Sequence, residues 1–178
     1  MLKNTSTSYG LITRLFHWII SITIITMIIV GFTMTSMEPS DDKWKIYDLH
    51  KATGVVVLTL VFFRFFWRLI NAKVDLPADL PCWQKLASKI THYLLYVFMF
   101  LMPISGLLMS RFGGHEVNVF DLFTLAAFEK NIPVATFFHT AHEFSAWGLS
   151  GLIGLHICAG LYHHFIRKDN VFMRMIRG

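Results

Sequence analysis

The sequence predicts an all-α fold, an integral membrane four-helix bundle, on three observations. Hydrophobic residues make up 54% of the chain and charged residues only 15%, against about 25% charged in a soluble domain. Four apolar stretches, Leu11–Met34, Leu49–Ile70, Ile90–Ser110 and Phe138–Ile166, each reach the length of about 20 residues that a bilayer span needs. The basic residues also fall unevenly. With both termini and the second connection placed on one side, that side holds 11 of the 16 (Lys3, Arg14, Arg64, Arg68, Lys73, Lys85, Lys89, Arg167, Lys168, Arg174 and Arg177). The positive-inside rule then predicts a multi-pass chain with both termini in the cytoplasm. The formal charge of +5 is thus a topology signal; it does not point to nucleic acid. One domain, residues 1–178, is expected.

Taken in order, residues 1–9 are polar and read as mobile or interfacial. The first span carries Arg14, His17 and Trp18 in its opening turns and then a β-branched run, Ile19–Val30. It has no small-residue cleavage site and reads as a retained span. The outer connection Thr35–Asp48 is short and acidic. The second span opens with His50 and Gly54 and closes with Arg64 and Arg68, one turn apart and so on one face. Facing lipid they would be costly, so the bundle interior or the cytoplasmic surface is their expected setting. Pro77 and Pro81 break any helix in the inner connection, 71–89. The third span carries His92 early, and Pro103 with Gly106 near its outer end predicts a kink there. In the long connection Arg111–Phe137, the apolar piece Val119–Phe128 is expected to lie flat on the membrane or to cap the bundle.

Two cysteines, Cys82 and Cys158, form no Cys-x-x-Cys-His and no zinc spacing, which excludes covalently attached c-type haem and a disulfide framework. There is no Walker loop, no His-Glu-x-x-His and no nucleophile elbow.

The histidines carry the chemistry. His142 and His156 in the fourth span are fourteen residues apart, about 21 Å along a helix and within roughly 40° of one face. His17 lies near the inner edge of the first span and His50 near the outer edge of the second. This gives one pair per leaflet, His17 with His156 and His50 with His142. Neutral imidazole is an axial ligand for haem iron, and bundle interiors hold cofactors between facing helices. Two b-type haems are therefore expected, with these four histidines on the irons. Gly54, Gly160 and Ala146, each one turn from a histidine, would leave room for a porphyrin; helix packing is the other reading of such small residues. His139 competes with His142 but stands about 100° from the face of His156, so His142 is preferred. His115 falls in a loop and reads as solvated. His92 reads as an interfacial packing residue, a propionate partner or part of a quinone site.

His163, seven residues beyond His156, falls within about 20° of the same face. It would either cap or snorkel to the interface, or hydrogen-bond a quinone carbonyl or a propionate. Arg14, Arg64 and Arg68 lie at the depth to pair with the inner haem's propionates. Lys51 and Arg111 are the outer counterparts. Glu143 reads as a cap at the start of the fourth helix.

These residues resemble the bacterial cytochrome b561 family, small stand-alone di-haem membrane cytochromes. The resemblance rests on Arg14-x-x-His17-Trp18, His50-x3-Gly54, Arg64 and Arg68, His142-Glu143 with Gly154-Leu155-His156, and the tail Tyr162-His163-His164, Lys168-Asp169-Asn170 and Arg174-Met175. It covers essentially the whole length. Larger relatives, the b subunits of membrane hydrogenases and formate dehydrogenases, share the ligand layout but serve a partner dehydrogenase. The resemblance implies four helices in the bacterial inner membrane, His17, His50, His142 and His156 on two b haems, and His163 at a ubiquinone site. It also implies a superoxide oxidase activity: an electron taken from superoxide at the outer face, oxygen released, and ubiquinone reduced to ubiquinol.

Inward electron flow works against a negative-inside potential, at about 2.3 kcal/mol per 100 mV. The donor must therefore be strongly reducing, and superoxide meets that condition. The outer connections carry five basic and eight acidic residues, and a negative face slows encounter with an anion. Lys43, Lys45, Lys51 and Arg111 would have to converge to focus one. The competing expectation is an electron-transfer subunit that links a dehydrogenase or another periplasmic donor to the quinone pool. A haem-free four-helix transporter or structural protein is the third.

Overall fold

The computed structural model describes residues 1–178. Four long helices make up the bundle: α1 (Leu11–Ser36), α2 (Asp41–Leu69), α3 (Cys82–Phe112) and α4 (Ile132–Leu161). A short antiparallel hairpin, β1 (Val117–Val119) with β2 (Phe123–Leu125), joins α3 to α4. A π-helical turn, Tyr162–Arg167, extends α4, and a single turn, α5 (Met173–Ile176), ends the chain. All four helices are long and apolar enough to cross a membrane.

Each helix outruns its predicted span, and the reasons are local. α2 begins at Asp41, well inside the expected outer connection, because the Ser40 side chain accepts from the Lys43 amide at 3.2 Å. Asp41 and Asp42 then occupy its first turn, where negative charge meets the positive end of the helix dipole. α4 begins at Ile132 because Asn131 caps the Val134 amide at 3.2 Å and Pro133 sits in its first turn, the position where a missing N–H costs nothing. α3 starts directly after Pro81, and its assignment runs unbroken through Pro103 to Phe112.

The N-terminal nine residues are an ordered cap. Asn4 Oδ1 accepts from the Gly10 amide at 2.9 Å and from the Thr13 hydroxyl at 2.7 Å, and the Asp75 amide donates to the Ser6 carbonyl at 2.7 Å. A Cβ on Gly10 would stand 2.3 Å from the Leu2 carbonyl oxygen, so only glycine lets the segment fold back over the start of α1. The C-terminus joins this cap through the Trp18 indole, which donates to the Met175 carbonyl at 3.1 Å. Both termini therefore lie at one end of the bundle, called here the termini end; the hairpin closes the other.

The hairpin buries Val117 and Val119 against the bundle and turns Asn118 out, the alternation of a half-covered strand. Its turn places Phe120 and Asp121 in the left-handed region, at φ 52° and 58°. The Asn118 side chain accepts from the Asp121 amide at 2.8 Å and holds this turn.

The core is a belt at mid-bundle: Ile20 and Ile24 of α1, Val57 and Val61 of α2, Met99 of α3 and Leu149 of α4. Leu149 stands seven residues from both His142 and His156, so the apolar belt separates two polar levels. α4 packs along α3, and α1 and α3 both pack on α2, but α4 barely touches α1 or α2.

Candidate functional site: two stacked histidine pairs

The weakly packed gaps beside α4 are where the histidines meet. His17 of α1 faces His156 of α4 with ring centroids 6.1 Å apart. His50 of α2 faces His142 of α4 at 6.4 Å. Two imidazoles on opposite sides of one metal ion stand about 6.4 Å apart, centroid to centroid, given metal–nitrogen bonds of about 2.0–2.1 Å. Both spacings match that span. His139 is exposed and lies outside the pairs, and His115 is exposed as well.

The pair at the hairpin end is held from three sides. His142 Nδ1 donates to the Met102 carbonyl at 2.8 Å. A carbonyl only accepts, so the hydrogen sits on Nδ1 and Nε2 keeps its lone pair, the arrangement of a metal-ligating histidine. Gly106 lets the two helices approach: a Cβ there would lie 2.8 Å from His142 Cε1 and 3.0 Å from its Nδ1. Gly31 lies beside His50 at ordinary contact distance: a Cβ there would meet His50 Cε1 at 3.4 Å. His50 Nδ1 is buried with no hydrogen-bond partner. A cavity of about 70 Å³ adjoins this pair; Met27, Gly54, Met99 and Val117 are among its lining residues, and Lys51 is its cation.

The pair at the termini end has a polar surround. Arg64 donates to His17 Nδ1 at 3.2 Å. A guanidinium only donates, so here Nδ1 is the acceptor and the ring's hydrogen is on Nε2, the reverse of His142. Ligation through His17 Nε2 requires Arg64 to let go. Arg64 and Arg68 both also lie over the Tyr96 ring, at 5.8 and 5.3 Å. Arg14 Nε is buried without a partner. None of these three arginines, nor Arg174, is paired with a carboxylate, so this end holds unpaired positive charge, with Arg68 exposed and the others half-buried. Tyr9 lies in the same group: burial pushes its hydroxyl pKa up, against the pull of Arg68, Arg174 and Arg64.

His92 joins this level, its ring 5.3 Å from that of His156, closer than the two rings of a metal-bridged pair. Its Nδ1 donates to the Ser88 carbonyl at 2.7 Å. His163 lies two turns further along and bonds Asp169, not the pair.

Sequence reasoning missed Gly31, Tyr9, Tyr96, Asp169 and the Met102 carbonyl, and it saw Gly106 only as part of a kink. No periodicity marks them. Asp169 stood in a motif of the tail, but without a role. The glycines singled out for porphyrin room behave differently from Gly106: a Cβ on Gly54 reaches only Met27, at 4.0 Å, and one on Gly160 meets Phe172 at 3.4 Å.

Comparison with known proteins agrees with this architecture. The family described as prokaryotic cytochrome b561 matches residues 8–178. Cytochrome b561 homolog 2 of Escherichia coli (strain K12) is 32% identical, over 97% of this chain and 93% of its own length. Cytochrome b561 homolog 1 of the same organism is 25% identical over 90% and 92%. The probable superoxide oxidase CybB of Yersinia pestis is 26% identical over 90% of each chain. The chain belongs to the prokaryotic cytochrome b561 family. Membership makes it a membrane electron-transfer protein and implies b-type haem.

Proposed function

We propose that this protein carries electrons across the bacterial inner membrane between two b haems, from superoxide at the hairpin end to ubiquinone at the termini end. The observation that carries the reading is the pair of facing histidines at each of two levels, in the gaps where α4 leaves α1 and α2 uncovered. His50 and His142 would hold one haem, His17 and His156 the other. When bound, the haems supply one-electron carriers with potentials set by ligands and surroundings.

The chain's own residues do the rest. Met102 fixes the His142 tautomer, and Gly106 sets the helix approach. Arg64, once released from His17, joins Arg14 and Arg68 as a counter-charge for propionates. Val57, Val61, Met99 and Leu149 keep the middle of the bundle dry. His163 faces the quinone at the cytoplasmic surface, with both termini on that side in agreement with the basic bias of the connections.

Superoxide as donor is supported by the name of the Yersinia pestis relative and by Lys51, the cation that lines the hairpin-end cavity. The decisive experiment is rapid mixing of the haem-loaded protein with superoxide, following haem reduction and ubiquinol. Fast reduction of haem and quinone is expected; no reduction would overturn the reading.

One set of observations favours a protein donor instead. Lys45 and Lys51 are each paired with a neighbouring aspartate, at 3.2 and 2.6 Å. Arg111 is spent on the Ala126 carbonyl and the Phe128 ring. The hairpin meanwhile presents Leu122, 81% exposed, beside Phe120 and Phe123, a surface suited to docking a protein. A stable co-purifying dehydrogenase or cytochrome, with no response to superoxide, would select that alternative.

A further inference from the structure

The π-helical turn at the end of α4 holds a second ionic cluster, apart from the histidine pairs. His163 Nδ1 lies 2.7 Å from Asp169 Oδ2. Lys168, at φ 56°, reverses the chain between them, and the Asp169 amide donates to the His163 carbonyl at 3.1 Å. The same Oδ2 accepts from Arg167 Nε at 2.9 Å, and Oδ1 accepts from the Val171 amide at 3.0 Å. Arg167 turns its other face to Asp79, on the connection between α2 and α3. The His163 and Asp169 side chains are only 14% and 18% exposed. Burial alone would raise the Asp169 carboxyl, but the bonds from His163, the Val171 amide and Arg167 outweigh it and hold the pKa below its usual value. Asp169 is therefore ionised and accepts only. That fixes the hydrogen on His163 Nδ1 and leaves Nε2 as the working atom.

We propose that Asp169 is the positioning residue that makes His163 a proton donor to quinone; this rests on the reading of His163 as the quinone-facing residue. Reduction of a quinone to its quinol takes two electrons, delivered one at a time by the one-electron donor, and two protons. One of these protons passes through His163. The imidazolium Nε2–H bond breaks as the O–H bond forms on the quinone carbonyl oxygen. The neutral ring keeps its Nδ1–H on Asp169 and regains a proton at Nε2 from water at the membrane surface. Asp169 stays ionised throughout: it holds the ring's orientation and tautomer and stabilises the charged form, as a buried aspartate does beside a catalytic histidine. The other ionisable groups around the dyad are Arg167, which keeps Asp169 ionised, Asp79, which offsets Arg167, and the neighbours Tyr162, His164 and Lys168. The rings of Tyr162 and His164 pack on His163 and on Phe172, respectively.

The test uses haem-loaded protein and a short-chain, water-soluble ubiquinone. In Asp169→Asn, quinone reduction falls roughly tenfold or more. Asp169→Glu restores quinone reduction, and haem reduction by dithionite is unchanged in both. Wild-type quinone reduction in Asp169→Asn, with His163→Gln impaired, overturns the role of Asp169 alone. Full quinone reduction in His163→Gln overturns the quinone-facing reading, and this proposal with it. Nitrogen NMR of histidine-labelled wild-type protein gives a check that needs no variant: neutral His163 is the Nδ1–H tautomer, and an Nε2–H tautomer overturns the proposal.

Discussion

His142 Nδ1 donates to the carbonyl of Met102 at 2.8 Å, across the α3–α4 interface. That one bond links the helix with no histidine partner of its own at this level to the ring that faces His50. It also fixes which nitrogen of His142 can bind a metal. His142→Ala should therefore lose one of two haems, read as a halved haem content per protein by pyridine haemochrome assay. His139→Ala, one turn away and exposed, should retain both. The reverse result would place the iron ligand at the wrong histidine.

The close approach at Gly106 gives an independent handle on the same level. A methyl group there would stand 2.8 Å from His142 Cε1, inside any real carbon–carbon contact, and the ring is tied to Met102 and cannot swing away freely. Gly106→Ala should lower occupancy of the hairpin-end haem or shift its absorption band, and leave the other unchanged. Gly160→Ala is the control, because its methyl would meet only Phe172 at an ordinary 3.4 Å. Equal spectra for the two variants would contradict the geometry.

Arg64 gives a handle on the other level. It reaches His17 Nδ1 at 3.2 Å, and no carboxylate partners it. Removing a buried cation makes electron gain harder nearby. Arg64→Gln should lower the potential of the termini-end haem on the order of tens of millivolts, with the hairpin-end potential moving far less, as measured by a redox titration. An unchanged pair of potentials would mean that Arg64 acts at neither level.

Asp169 makes a stability prediction separate from catalysis. Its folded pKa lies below the ordinary 3.8, so its contribution is present above that value and is lost as pH falls through the lower folded one. Hydrogen bonds to a charged group contribute about 1.5–3 kcal/mol. Asp169→Asn should lower the thermal midpoint by several degrees at pH 7, and the gap to wild type should close in acid as the carboxylate is protonated. A gap that persists undiminished in acid would show that the carboxylate charge contributes nothing.

The four long apolar helices and the pairing of His17 with His156 and of His50 with His142 were legible in the sequence, because both follow from counting residues along a helix. Fourteen residues from His142 to His156 place two rings on one face at two levels, whatever surrounds them. The ends of the helices were less legible. Ser40 and Asn131 are good caps, but hydropathy is blind to caps, so α2 and α4 begin several residues before their apolar stretches. Residues 1–9 read as mobile or interfacial because their polar groups find partners only once the chain folds back onto 71–75.

What the sequence determined by itself is therefore the membrane architecture and the level at which each imidazole sits, since helical rise and bilayer thickness are properties of one segment at a time. Tertiary structure alone decided which backbone touches which ring: Gly106 and Met102 against His142, Gly31 against His50, Arg64 against His17, His92 beside His156. These contacts join residues on different helices, and they depend on how each helix is rotated and where it crosses its neighbour. The link from His163 to Asp169 is short in sequence, yet it too needed the fold, because a π turn and one left-handed residue set its direction.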